Sequence, residues 1–440
     1  MSRELFGTDG LRGLAGKYPL DQLGAERIGR AVGTQFAKPG QTIVIARDPR
    51  ESSESLSHAL INGLNNVAVN VIDVGVITTP GLAYLTREGS EFKAGVMITA
   101  SHNSYEYNGV KVFDHNGDKL TDESEVSLNR LIESEIKKTG GGKTTKQSNL
   151  TNKYIDFLVF SAKGQEFRGL KLAVDSANGA ASGIASRVFE HLGAEVTALF
   201  DKPDGRNIND NCGATNPKSL SKIVTDRKLD LGIALDGDAD RLILIDSRGR
   251  EVNGDYILYI LAATLKLDGL VATVMSNLGL EMALKKLDIS LDRVKVGDRY
   301  VLEGLRRTGW YLGGEQSGHI IFPDLLATGD GLLAAVQVVR SLIKSDKNLA
   351  QWRDEVKMLP QSLVNIKLAD NSLLELPVIK EFIKSQVEAL DNRGRLLIRP
   401  SGTEPLVRVM VEADDAQKIA DRISSELEQL IIEASKGKNQ

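Results

Sequence analysis

Short β-branched apolar runs alternate with amphipathic helical stretches over the first three quarters of the chain. Thr42-Ile43-Val44-Ile45-Ala46, Leu170-Lys171-Leu172-Ala173-Val174 and Leu231-Gly232-Ile233-Ala234-Leu235 are three such runs. Each ends at a polar or glycine turn, and a helical pattern follows most of them. The alternation predicts an α/β fold with largely parallel central strands. The last quarter changes rhythm. Strands are predicted over Ser362–Lys367, Arg395–Arg399 and Leu406–Val411, and a charged helix from about Asp415 to Ala434. That pattern predicts a small α+β domain with an antiparallel sheet.

A weak internal repeat sharpens the picture. Asp48 and Val69 recur at a common offset as Asp175 and Val196, and Gly95 aligns with Gly232. Pro80 and Ser101 have the same spacing as Pro217 and Asp238. A looser third unit has strands at Val271–Met275, Arg293–Gly297 and Trp310–Leu312. Three related α/β domains are expected, spanning 1–152, 153–253 and 254–361, with the α+β domain over 362–440. The Gly-, Lys- and Thr-rich stretch Thr139–Asn152 reads as a mobile connection. The repeat puts three unusual loops at equivalent strand ends: Thr99–Asn103, Asp236–Arg241 and Gly313–His319. Open α/β sheets bind ligands beyond the carboxyl ends of their strands. A central cleft pooling these loops is therefore expected.

Composition narrows the chemistry. The 440 residues suggest three or four domains. Lys and Arg total 55 against 59 Asp and Glu, a net charge of −4, which disfavours a nucleic-acid partner. Cys212 is the only cysteine, so neither an intrachain disulfide nor a thiolate-rich metal site can form; it reads as an inert structural thiol. The start carries no signal-like apolar core, and Tyr256–Leu265, the longest apolar stretch, is too short to span a membrane. A cytoplasmic protein with no membrane partner is expected.

Asp236, Asp238 and Asp240 alternate directly after a buried-strand pattern. Hard oxygen donors at that spacing suit Mg²⁺, and the bland alternative is an acidic surface turn. The loop is no EF-hand, because Ser247 stands where the last glutamate belongs. Arg241 adds an anion-binding group. Ser101 could be a nucleophile or phosphate carrier, but alone reads more readily as a turn residue; His102 beside it is poor evidence for a triad. Lys111 could be a base, a phosphate contact or a solvated lysine. Glu315, Ser317 and His319 offer paired donors and acceptors for sugar hydroxyls, although His319 alone could be structural. Arg399-Pro400-Ser401-Gly402-Thr403-Glu404-Pro405 reads as a phosphate cradle, with Arg399 and Arg408 supplying charge. Arg12, in a glycine-rich N-terminal run, could bring one more cation.

Together these loops resemble the α-D-phosphohexomutase family. Gly7-Thr8-Asp9-Gly10-Leu11-Arg12-Gly13 is similar to its N-terminal signature and Ser101-His102-Asn103 to its active-serine loop. Asp236–Arg241 is similar to its metal loop, Gly313–His319 to its sugar loop and Arg399–Pro405 to its phosphate loop. Gln316 favours glucosamine phosphate over mannose or glucose phosphates, the nearest rivals. A sugar-phosphate-binding protein without catalysis is the rival from another class. Ser104 and Tyr107 depart from the family's usual proline and acidic residue, which puts the rigidity of the serine loop in question.

The resemblance implies a phosphoserine at Ser101 and one Mg²⁺ held by Asp236, Asp238, Asp240 and a Ser101 phosphate oxygen. Arg12, Lys111, Arg241 and His102 would stabilise transfer or move protons. Glu315, Ser317 and His319 would hold the sugar. Arg399, Ser401, Gly402, Thr403 and Arg408 would hold the phosphate that does not react, on a fourth domain that closes over the ligand. A glucosamine or glucose 1,6-bisphosphate would serve as activator. A monomer or homodimer is expected, on a route feeding UDP-N-acetylglucosamine and cell-wall synthesis.

Overall fold

The computed structural model describes residues 5–6, 10–368, 370–400 and 406–437. The chain divides into two compact units. The larger holds the chain up to Ser276 together with Leu287–Glu355; the smaller holds Asn277–Lys286 and the chain from Val356 onward.

The larger unit carries three sheets. The first has strands β1 (Leu11–Leu14), β2 (Thr42–Arg47), β3 (Asn70–Val76), β4 (Phe92–Ile98), β5 (Tyr107–Asp114) and β6 (Thr144–Lys146), in the order β1-β5-β4-β2-β3-β6. The second has β7 (Lys171–Asp175), β8 (Glu195–Leu199), β9 (Leu231–Leu235), β10 (Leu242–Asp246) and β11 (Glu251–Val252), in the order β11-β10-β9-β7-β8. The third has β12 (Gly269–Thr273), β13 (Ser290–Val294), β14 (Gly313–Gly314) and β15 (Ile320–Ile321), in the order β13-β12-β14-β15.

The repeat is visible in this topology. In each sheet the first strand of the unit (β2, β7, β12) pairs in parallel with the two that follow, and a fourth runs antiparallel to the third. The loop between third and fourth strands is therefore equivalent in all three: residues 99–106, 236–241 and 315–319. Gly95 and Gly232 show why the alignment holds. Gly95 lies opposite Val44, and Gly232 opposite Ala173, each on the central strand of its sheet. A Cβ on Gly95 would stand 2.2 Å from Thr86 Oγ1, and one on Gly232 2.9 Å from Leu220. In both units a helix, Thr79–Glu88 or Lys218–Asp226, lies that close to the sheet.

Two details differ from the sequence reading. The stretch Thr139–Asn152 is not a plain tether: β6 pairs in parallel with β3 and adds an edge strand. Its three residues are all exposed, so no apolar alternation marks it. The strands of the third unit begin and end two to three residues away from the apolar runs, since β14 starts only after buried Leu312, whose carbonyl accepts from Val271 N–H at 3.1 Å.

The smaller unit is an antiparallel sheet of β16 (Gln361–Lys367), β17 (Gly394–Pro400) and β18 (Leu406–Ala413), in the order β16-β18-β17. Helices Pro377–Leu390 and Ala416–Gly437 accompany it, and Ile366, Val407, Val409, Val411, Ile423 and Leu427 form part of its core. Helix Leu278–Lys285 belongs to this unit too: Leu278 N–H donates to buried Glu412 at 2.8 Å, and Asn277 exchanges two hydrogen bonds with the Leu359 backbone.

Candidate active site

Two of the three equivalent loops meet directly. Ser101 follows β4 in the left-handed region, φ 51°, and is buried. Its Oγ donates to Asp236 Oδ2 at 2.8 Å and lies 3.3 Å from His102 Nδ1. Gly237 permits this approach, because a Cβ there would stand 2.5 Å from the Ser101 carbonyl oxygen.

Asp236, Asp238 and Asp240 are all buried, each with a carboxylate oxygen within 4.8 Å of the others. Lys111, on β5, donates from Nζ to Asp238 Oδ2 at 2.8 Å and to Asp240 Oδ2 at 3.2 Å. Thr79 Oγ1 donates to Asp238 Oδ2 at 2.6 Å. Asp238 Oδ1 and Asp240 Oδ1 are buried with no hydrogen-bond partner among the described residues. Burial, then the charges of Asp240 and Asp238, push the Asp236 carboxyl well above the usual range. Burial also acts on Asp240, but Lys111, His319 and Arg241 outweigh it and hold that carboxyl well below. Three carboxyl groups are buried together, one of them keeping its proton for want of countercharge, and two of their oxygens accept no hydrogen bond. This donor set fits a hard divalent cation such as Mg²⁺.

Arg241 borders the same loop: its N–H donates to Asp236 Oδ1 at 3.2 Å and its Nε lies 3.9 Å from Asp240 Oδ1. Arg12 sits on β1 opposite Gly109. Burial, then Arg241, then Arg12 lower the His102 pKa to about 4. The imidazole next to Ser101 is therefore neutral at pH 7, with two guanidinium groups nearby.

The third loop is a tight turn. Glu315 N–H bonds the His319 carbonyl, Gly318 N–H bonds the Glu315 carbonyl, and Glu315 Oε1 accepts from Gly297 N–H at 3.1 Å. Ser317 is exposed at the tip. The His319 ring is turned towards the acidic loop, as the structural reading of this residue allows. The buried ring lies 3.8 Å from Asp240 and 3.4 Å from Asp298, and Nε2 accepts from Gly329 N–H at 3.0 Å. Burial works against a charged ring, but Asp240, then Asp298, outweigh it and raise the His319 pKa; with Nε2 accepting, Nδ1 carries a proton towards Asp240. His319 supports the acidic loop.

In the smaller unit, Arg399 and Arg408 are direct cross-strand partners on β17 and β18. Burial, then Arg408, lower the Arg399 pKa. Like charges directly opposite are destabilising unless an anion sits between them. Ser401, Gly402 and Thr403 lie outside the described residues.

Four profiles of the phosphoglucomutase/phosphomannomutase family match in order: α/β/α domain I over residues 3–139, domain II over 152–249, domain III over 253–358 and the C-terminal domain over 363–429. A Shewanella amazonensis protein named phosphoglucosamine mutase 2 is 46% identical, covering 95% of this chain and 96% of its own length. The Alcanivorax borkumensis phosphoglucosamine mutase is 42% identical, covering 99% and 100%. The chain belongs to the phosphoglucomutase/phosphomannomutase family. A solved phosphoglucomutase/phosphomannomutase family structure from Burkholderia thailandensis superposes with TM-score 0.82 at 26% identity, covering 99% of this chain and 98% of that one.

As a member of that family the chain is a phosphohexomutase, an intramolecular phosphotransferase. The structure adds residues around this candidate site that sequence reasoning missed. Thr79 reaches Asp238 from the start of its helix. Asp330, pushed up to about 6 by burial, accepts from Tyr154 OH at 2.8 Å and caps helix Gly331–Ile343. Asp48 and Arg50, both fully buried, lie under the serine loop. Asp48 was visible in the repeat, but nothing in the sequence marked Arg50.

Among the described residues no helix is long and apolar enough to cross a membrane.

Proposed function

We propose that this phosphohexomutase interconverts α-D-glucosamine 6-phosphate and α-D-glucosamine 1-phosphate, with Ser101 as the phosphoryl carrier. The carrying observation is the contact of Ser101 Oγ with Asp236 in a buried acidic loop. A phosphoryl group on Oγ removes the proton that makes this bond and sets a phosphate dianion against the buried acidic loop. That arrangement is stable only with a cation between them. Asp236, Asp238 and Asp240 would hold Mg²⁺ together with a phosphate oxygen of Ser101. When bound, the ion offsets charge on the phosphoryl oxygens.

The remaining steps belong to the chain. Phosphoserine passes its phosphoryl group to one hydroxyl of the sugar monophosphate. A P–O bond forms to the sugar, the P–Oγ bond breaks, and the hydroxyl proton ends on Ser101 Oγ. The resulting 1,6-bisphosphate turns over, and Ser101 recovers a phosphoryl group from the other end. Lys111, already placed by two carboxylates, and neutral His102 are the groups that relay the proton. Arg12 and Arg241 stabilise the transferring group. Glu315 and Ser317 hold sugar hydroxyls. Arg399 and Arg408, with Ser401, Gly402 and Thr403, bind the phosphate that is not reacting. A glucosamine or glucose 1,6-bisphosphate primes the serine.

The choice of an amino sugar rests on Gln316 and on the names of the Shewanella and Alcanivorax relatives. Steady-state assays on glucosamine, mannose and glucose 6-phosphates test it. The expected result is the highest kcat/KM on glucosamine phosphate; a higher value on another sugar overturns the choice. Ser101→Ala is expected to abolish turnover in a folded protein and to abolish the mass gain of one phosphate on incubation with bisphosphate and Mg²⁺. Near-normal turnover of that variant defeats the mechanism.

A further inference from the structure

The backbone from Ser101 to Tyr107 turns four carbonyls onto one buried side chain. Arg50 Nη2 donates to the Ser101 and Asn103 carbonyls, both at 2.9 Å. Its Nη1 donates to the Tyr107 carbonyl at 3.0 Å and to that of Ser104. The remaining donor, Nε, bonds Asp48 Oδ2 at 2.8 Å, and both side chains are fully buried.

Asp48 is itself saturated. It accepts from Arg50 N–H at 3.1 Å, Ser53 Oγ at 2.7 Å and Thr99 Oγ1 at 2.7 Å. Thr99 Oγ1 in turn accepts from Ser101 N–H at 2.9 Å. From the second repeat, Asn209 Nδ2 donates to the same Ser101 and Asn103 carbonyls, at 2.9 and 3.0 Å. The peptide that carries the reactive hydroxyl is thus gripped at both its N–H and its C=O.

We propose that Arg50, fixed by Asp48, is a positioning residue that holds the Ser101 loop in its left-handed conformation and aims Oγ at the acidic loop. The proposal rests on the reading of Ser101 as phosphoryl carrier. It also answers the rigidity question raised by Ser104. With serine at this position and no ring to fix φ, the loop is held through a guanidinium bonded to four carbonyls. A planar fork with five fixed donors can do this, whereas a lysine ammonium, with three donors on one atom, cannot span the same set. Misplacement of a reacting atom by about 1 Å lowers turnover by about 100-fold.

The test compares Arg50→Lys with the unaltered full-length chain, in Mg²⁺ and primed with sugar bisphosphate. Two quantities are measured: steady-state turnover, and hydrogen exchange of segment 99–107. Expected are a fall in kcat of about 100-fold with KM for the sugar phosphate within about threefold. Exchange in 99–107 should rise by about tenfold or more while β2 and β4 keep their protection. Unchanged kcat or unchanged local exchange in folded Arg50→Lys overturns the proposal. So does a loss of kcat that only tracks the unfolded fraction. If Arg50→Lys does not fold, Asn209→Ala decides, since it removes two bonds to the same carbonyls and leaves the Asp48–Arg50 pair. A kcat loss of about fivefold with faster local exchange then supports the clamp, and no change in either overturns it. The exchange measurement needs no turnover. An unaltered chain inactive on glucosamine phosphate would defeat the functional reading while exchange still decides the clamp.

Discussion

Asp48 and Asp175 close the first strands of two repeats, and each accepts from the N–H two residues on, Arg50 at 3.1 Å and Ala177 at 2.9 Å. Their other partners differ. Asp48 has a guanidinium, while Asp175 adds only Gly213 N–H at 2.8 Å. Burial pushes the Asp175 carboxyl up to about 6, against which the two N–H bonds work only in part. The native state therefore binds this proton more tightly than the unfolded chain. Its contribution to stability is full below the unfolded value of 3.8 and is lost as pH rises to about 6. The loss is at most about 3 kcal/mol. Urea unfolding between pH 4 and pH 7 should show this downward slope, to which Asp330 adds over the same range, and Asp175→Asn should make it shallower, whatever its effect on absolute stability. An equally steep slope in the variant would show that another group titrates there. These two aspartates also mark how far single residues were legible. Their shared position could be read from the repeat, because strand ends recur with the topology. Arg50 could not, because an arginine three residues past a strand reads as solvated until the carbonyls it grips, more than fifty positions away, are brought to it. His319 could be read either as a sugar contact or as a structural ring. A glycine-rich loop reads as exposed, and only the packing shows the ring turned inward against Asp240 and Gly329.

At the scale of elements, apolar runs located the buried strands well, since β2, β7 and β9 coincide with them to within a residue. The shortest strands escaped notice. β6, β11 and β15 have three or two residues each, and their pairing is a backbone event that leaves no alternation to read. The glycine shared by the first two repeats was legible as an alignment but not as a packing contact. Because Gly95 faces Thr86 with no room for a methyl, Gly95→Ala should destabilise the chain by about 1–3 kcal/mol. Thr86→Ala removes the opposing hydroxyl and methyl groups, so the double variant should recover most of that loss beyond the sum of the single changes. Denaturant midpoints for the four chains measure the coupling. Strict additivity would show that the strain at Gly95 lies in the backbone and not in this contact.

At the scale of the whole molecule, the two units gather different charges. The acidic loop, with its bare carboxylate oxygens, lies entirely in the larger unit, and the Arg399–Arg408 pair lies in the smaller. The near-zero balance of charge in the sequence conceals this separation, although the loops themselves were visible. The smaller unit has its own core and a helix, Leu278–Lys285, taken from the third repeat, which the sequence order hid. Calorimetry should therefore resolve two unfolding transitions. Ligands that bind only the folded state raise the transition of the unit that holds them, by about 2.7 kcal/mol at one hundred times the dissociation constant. Mg²⁺ should raise the transition of the larger unit alone, and inorganic phosphate that of the smaller. Since Asp236 holds its proton well above the usual carboxylate range, Mg²⁺ must displace it, and the metal-induced shift should grow as pH rises. Asp238→Asn should remove the Mg²⁺ response and leave the phosphate response intact. A Mg²⁺ shift that survives this change, or that moves both transitions equally, would place the cation elsewhere than the acidic loop.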